Sequence, residues 1–306
     1  MRRLAIQTLV ALTLFTGLGS SYAIGQDETW RPSLEQWRTQ HAAELSAPDG
    51  WLTVVGLEWL KPGDNSIGAA PDNTIRLQGS GSAHLGIIHV DQSGLELKAP
   101  REGFPADLHV DGQTAREQSI VVDNRNPTKL TAGTLTLFVI RRGDGNGLRI
   151  KDSQAPARLN FKGLQWYPPD PSYRIEAEWA PFSEPKPAHL DTVIGTTENG
   201  FVTGVARFTL SGQQVEIQSV VQSLDAKSLL FVIRDATSGR TTYAASRFLH
   251  TGLPDYGLLK AGKILLDFNR LENPPCAFTP YATCPLPPES NRLKVPILAG
   301  ELRFDH

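Results

Sequence analysis

Apolar residues recur at helical spacing in only one stretch of the chain. Leu34, Trp37, His41 and Leu45 fall three or four positions apart, which places them on one helical face. Ser33 precedes the stripe, with Gln36 three positions on, the pairing of a helix N-terminal cap. Ala47-Pro48-Asp49-Gly50 ends it. One short helix is therefore predicted within residues 24–46, with His41 as a packed helix residue. From Gly50 onward the pattern is β. An apolar run over 51–60 leads into the turn Lys61-Pro62-Gly63-Asp64-Asn65. Short strands are predicted at 75–77, 86–90, 95–98, 108–110, 119–122 and 134–141. Asp91-Gln92-Ser93-Gly94 and Asp111-Gly112 have hairpin-turn chemistry. Gly143-Asp144-Gly145-Asn146-Gly147 lies between two strand-like runs and is predicted to be a hairpin turn rather than a phosphate loop, because no helix follows it. Trp166-Tyr167-Pro168-Pro169-Asp170-Pro171 reads as a joint. A second run of strands is predicted at 173–179, 193–197, 201–210, 214–221, 229–234, 241–248 and 263–268, with 183–187 as a loop. Evenly spaced short strands predict a mainly β fold of two β-rich domains, residues 47–157 and 158–306, each a sandwich or barrel.

Composition agrees: 27 Gly and 22 Pro among 306 residues suit many turns. The first residues carry a different signal. Arg2 and Arg3 precede an apolar run over 4–18, and small residues lead to Ser21-Tyr22-Ala23. That sequence predicts a secretory signal peptide over 1–23, cleaved after Ala23. The run is short for a membrane span, no Cys follows it to take a lipid, and no later segment approaches 18 apolar residues. The expectation is an exported protein, periplasmic or secreted, whose mature part does not span a membrane. Removing Arg2 and Arg3 from the 30 Lys and Arg leaves 28 against 32 Asp and Glu. With no basic tract, nucleic acid is not an expected partner.

Candidate chemistry concentrates in the last quarter. Six of the fifteen residues over 274–288 are proline, and both cysteines fall there with seven residues between them. A stiff loop that is also rich in Phe, Tyr, Cys and Leu is expected to pack and to carry function. Two Cys in an exported chain predict one disulfide, Cys276–Cys284. Around the loop stand Asp235, Arg247, Asp267, Arg270, Arg292 and Glu301, with Tyr243, Asn269, Asn273 and Asn291. Alternate residues of a strand share a face, so Asp267 can join Asn269, and Tyr243 can join Arg247. If the strands are neighbours, a ligand set of Asp235, Tyr243, Arg247, Asp267, Asn269, Arg270, Asn273 and Arg292 could hold a small polar or anionic molecule. Asp235 or Asp267 could instead serve a hydrolase as acid and base. A third reading is a buried ion-pair network in a structural envelope protein. No Gly-x-Ser-x-Gly, His-Glu-x-x-His, Walker loop or calcium loop is present. No cofactor is expected, and the cysteine spacing is wider than a zinc knuckle.

Two resemblances refine the picture. Asn65-Ser66-Ile67-Gly68, Asn73-Thr74-Ile75-Arg76-Leu77, His84 and Asp111-Gly112 resemble the forkhead-associated sandwich. That family's phosphate-reading Arg is Ala69 here, and its Ser-x-x-His becomes Gly81-Ser82-Ala83-His84. The resemblance therefore implies a structural sandwich, with His84 in a turn or core. Gly50-Trp51-Leu52, Gly56-Leu57, Phe161-Lys162-Gly163-Leu164, Asp235-Ala236-Thr237-Ser238-Gly239, Thr242-Tyr243, Arg247-Phe248-Leu249, residues 267–288, Asn291-Arg292-Leu293 and Ala299-Gly300-Glu301 resemble a bacterial family known only as domain of unknown function 1684. Leu271-Glu272 stands where that likeness leads one to expect Ala-Tyr, and Ala244-Ala245 where glycines are usual. The likeness implies a fold and a site location, and no activity.

Overall fold

The computed structural model describes residues 21–78, 81–123 and 126–304, with side chains from residue 28. The signal peptide expected over 1–23 lies, but for its last three residues, outside this description. A 25-residue helix, Ser21–Leu45, opens the described chain. It starts well before Ser33, so Ser33 is interior and its hydroxyl accepts from Arg270 at 3.0 Å instead of capping the helix. Trp30, Leu34, Arg38 and Leu45 are buried and His41 half-buried, a stripe at the helical period. Among the described residues no helix is long and apolar enough to cross a membrane.

The protein is mainly β. Two sheets, one of six strands and one of five, face each other over the first unit. Their inward residues, among them Ile67, Ile88, Leu97, Leu137, Val139 and Leu148, form one apolar core. The strands Leu135–Arg142 and Gly145–Asp152 pair in register from Leu135↔Asp152 to Arg142↔Gly145. Only Gly143 and Asp144 connect them, with Gly143 at φ 54, so the glycine run is a two-residue hairpin turn. His84 is half-buried and contacts Asn73 at 3.3 Å.

The second unit is built on four antiparallel strands in the order Gln213–Val221, Thr197–Leu210, Arg174–Asp191, Gly262–Asp267. A two-stranded ladder, Leu229–Ile233 with Arg247–Thr251, packs beside it. Trp179, Phe208, Ile217, Phe231, Leu249, Leu266, Phe268 and Ile297 fill the core between them. Residues 183–187, predicted as a loop, lie inside the strand Arg174–Asp191. The pairing register shifts between Pro181 and Lys186, and that irregularity lets prolines sit in a paired strand. Residues 193–196 form a turn, and of 241–248 only the last two are strand.

The proline-rich loop is the mortar between the units. Phe278 and Ala277 pack with Leu45 and Leu52. Ala282 and Cys284 pack with Val232 and Phe248, with Trp51 against both clusters. Thr279 Oγ1 donates to the Val54 carbonyl at 3.0 Å, and Arg142 Nε donates to Thr283 Oγ1 at 2.7 Å. Gly300, at φ 83, lets the last segment lie on Leu271; a Cβ there would meet the Leu271 carbonyl at 2.6 Å.

Candidate functional site

The charged residues that the sequence groups together divide into separate places. Asp235 and Arg247 form an enclosed pair. Arg247 Nη2 donates to Asp235 Oδ2 at 2.8 Å and to the Ile297 carbonyl at 3.0 Å, and Nη1 to the Ala299 carbonyl. The other carboxylate oxygen accepts from Thr237 N at 2.7 Å, Thr237 Oγ1 at 2.6 Å and Ile297 N at 3.3 Å. Arg247 is 0% exposed. This pair staples the last segment of the chain to the sheet, and no ligand can reach it without opening the fold.

Neighbouring polar residues are spent the same way. Asn291 bonds the Gln218 amide and carbonyl at 2.9 and 2.8 Å and the Val232 carbonyl at 2.9 Å. Asn273 donates to both carboxylate oxygens of Glu301, at 2.9 Å from its amide and 2.7 Å from its side chain. Tyr243 donates to the Cys276 carbonyl at 2.9 Å, and burial first, then contact with Cys276, pushes its phenol up. Arg292 is an exposed residue 3.7 Å from Glu289.

Cys276 and Cys284 are free thiols, not the disulfide predicted from their number. The Cys276 amide donates to Cys284 Sγ at 3.2 Å, so hydrogen bonding, proline and packing hold the loop without a covalent bridge. Hydrogen bonding to Cys284 lowers the Cys276 thiol, and the same contact with burial raises that of Cys284.

Asp267 sits differently. It ends the strand Gly262–Asp267, and a 3-10 turn, Phe268–Arg270, follows at once. That turn folds Asn269 and Arg270 back on the carboxylate. Asn269 donates to Oδ1 from its amide at 3.2 Å and its side chain at 3.0 Å. Trp30 Nε1, from the helix, donates to Oδ2 at 2.7 Å. Arg174 Nε lies 3.6 Å and Arg270 Nε 3.7 Å from the same oxygen. Each guanidinium also covers an aromatic ring: Arg174 at 5.3 Å over Trp30, Arg270 at 5.2 Å over Trp37. Above them opens a cleft of about 810 Å³, walled by Ser33 and Trp30 on one side and by His250 and Thr251 on the other.

A second cluster lies between the helix and the loop. His41 Nδ1 is 3.4 Å from Glu272 Oε2, and His41 Nε2 is 3.5 Å from Glu301 Oε2. Glu272 Oε1 lies 3.5 Å from His250 Nε2 at the cleft rim. Burial raises the Glu272 carboxyl to about 7, against the pull of His41 and aided by Glu301 and Glu44. Burial alone would lower His41, but Glu301, Glu272 and Glu44 outweigh it and hold the imidazole above its ordinary value. Burial, then His41, lowers His250. Sequence reasoning missed this set. His41 lies on an apolar stripe and reads as packing, and Glu272 entered only as a departure from Ala-Tyr. Among the described residues no group of three or more His, Cys, Asp or Glu could hold a metal ion.

Fold and sites together define a mainly β protein whose enclosed Asp235–Arg247 pair and Asp267 carboxylate both lie in the second unit. Residues 159–302 match the model of the family described as "Protein of unknown function (DUF1684)", and over these residues the chain belongs to that family. An uncharacterized protein of Haloarcula marismortui, solved by solution NMR, is 33% identical; the match covers 47% of this chain and 78% of that one, with a TM-score of 0.41. No curated protein matches the chain.

Proposed function

We propose that the second unit binds a small anionic molecule in the Asp267 cleft. The observation that carries this reading is the charge balance around one carboxylate. Arg174 and Arg270 both approach Asp267 Oδ2, so two guanidinium charges face one carboxylate at the floor of an 810 Å³ cleft. Guanidinium groups offer several N–H donors in a plane and suit carboxylate or phosphate. His250 at the rim supplies another donor. The ligand-holding residues in this reading are Arg174, Arg270 and His250, with Asp267, Asn269, Trp30 and Ser33 fixing their positions. A hydrolase reading draws its acid and base from His250 at the cleft rim and from Glu272, 3.5 Å from its Nε2, rather than from the enclosed Asp235. Export to the periplasm or beyond is part of the proposal and rests on residues 1–23. The first unit is proposed as a forkhead-associated-like sandwich with a structural role, on the strength of its two facing sheets and of Ala69 in place of a phosphate-reading Arg.

The test is calorimetric titration of the full mature chain with inorganic phosphate and with succinate. Arg270→Met removes one guanidinium and keeps the aliphatic contact with Trp37. At least one of the two anions is expected to bind, and Arg270→Met to weaken it roughly tenfold or more, the range of a charge-assisted hydrogen bond. No binding of either anion, or equal binding by the variant, overturns the proposal.

A further inference from the structure

The joint between the units holds a buried positive charge with no acidic partner among the described residues. Arg149, on the strand Gly145–Asp152, is 5% exposed. Its Nε and Nη2 have no hydrogen-bond partner among the described residues. The guanidinium lies 4.9 Å over the Trp51 ring, and Trp51 packs in the same apolar cluster as Cys276 and Cys284. Its charge reaches Cys284. A second cation, Arg142, donates to Thr283 beside Cys284 and lies 3.7 Å from Glu198. Glu198 thus serves Arg142, and Arg149 is left unmatched. A buried charge without a counter-ion is costly, so an anion belongs at this joint.

The two thiols can supply it. Both are free; Cys284 is buried and Cys276 is partly exposed. The backbone of one already touches the sulfur of the other at 3.2 Å, so little ordering is needed to turn both sulfurs on one ion. We propose that Cys276 and Cys284 form a two-coordinate site for a soft monovalent cation, copper(I) or silver(I), whose bis-thiolate complex takes Arg149 as its counter-ion. On binding, two S–H bonds break, two sulfur–metal bonds form, and two protons leave to solvent. No oxidation state changes. Two thiolates and one monovalent cation leave one negative charge, which the single guanidinium neutralises. Thiolate donors favour soft ions. Zinc would need two further donors, and no His, Asp or Glu among the described residues completes such a set.

The full mature chain is to be titrated anaerobically with copper(I) in competition with the chromophoric chelator bicinchoninate. The expected result is one copper(I) per chain, with X-ray absorption reporting two sulfur neighbours. Cys276→Ser and Cys284→Ser should each abolish competition. Arg149→Met should weaken binding roughly 10–100-fold, as loss of a partner around the metal's ligands does. Should Cys284→Ser not fold, the partly exposed Cys276→Ser carries the test alone. Failure to compete with the chelator, or undiminished binding by a cysteine variant, overturns the site. Unchanged affinity in Arg149→Met overturns the counter-ion role. Anion binding in the Asp267 cleft is unaffected by either outcome.

Discussion

Glu272→Gln makes the electrostatics of the helix joint measurable. Glu272 is 17% exposed and packed between His41 and His250, with Glu301 and Glu44 adding negative charge nearby. Burial raises its carboxyl from 4.5 to about 7. A carboxyl raised on folding favours the fold below about pH 4.5, and that advantage is lost as pH rises from there to about 7. The gap corresponds to roughly 3 kcal/mol. His41 acts in the same direction: its imidazole is raised, so its contribution is also lost as pH rises through its folded value. His250, lowered, acts oppositely, contributing above the ordinary imidazole value. The wild-type protein should therefore lose stability between pH 5 and pH 8. Gln at position 272 can still accept from His41 but cannot ionise, so the largest part of that slope should vanish. Urea denaturation followed by tryptophan fluorescence at pH 5, 6, 7 and 8 reads this directly. At pH 8 the variant should exceed wild type by up to about 3 kcal/mol, with the two converging near pH 5. Parallel curves for both proteins would refute the assignment of the charge strain to Glu272.

Two shorter expectations accompany it. Arg247→Ala should cost about 3–5 kcal/mol by stranding a buried carboxylate; most of this should return in Arg247→Ala/Asp235→Asn and none in Arg247→Ala/Asp267→Asn, as thermal or urea melts would report. Thiol titration of the denatured, unreduced protein should find two reactive cysteines per chain, and finding none would contradict the free pair at Cys276 and Cys284.

Period and turn chemistry made the mainly β plan legible. The hairpin at Gly143 and Asp144 follows from local sequence, because a two-residue connection needs a residue at positive φ. The strand Arg174–Asp191 does not, because its prolines are accommodated by a register shift against Thr197–Leu210 that depends on the partner. The polar cluster was half legible. Asp267, Asn269 and Arg270 meet because one tight turn joins them. Asp235 and Arg247 were expected to converge with them, but Arg247 is turned toward Ile297 and Ala299, residues whose approach depends on the path of the chain end. His41 with Glu272 was invisible, since nothing local distinguishes a histidine that packs from one that packs against a carboxylate.

What separates the two aspartates is the helix. Asp235 finds all its donors within the second unit and is sealed by them. Asp267 takes its shortest hydrogen bond from Trp30, and Arg270 rests on Ser33 and Trp37. The helix therefore supplies one wall of the cleft and leaves the other open at His250. The same face of that helix, about three turns further along, places His41 between Glu272 and Glu301. Cleft and titrating cluster thus share a single element that the family match, which begins at residue 159, does not include. A ligand gripped by Arg270 and His250 would lie against Trp30 and Ser33 of that helix, and Glu272, 3.5 Å from His250, reaches the rim of the same cleft from the titrating cluster.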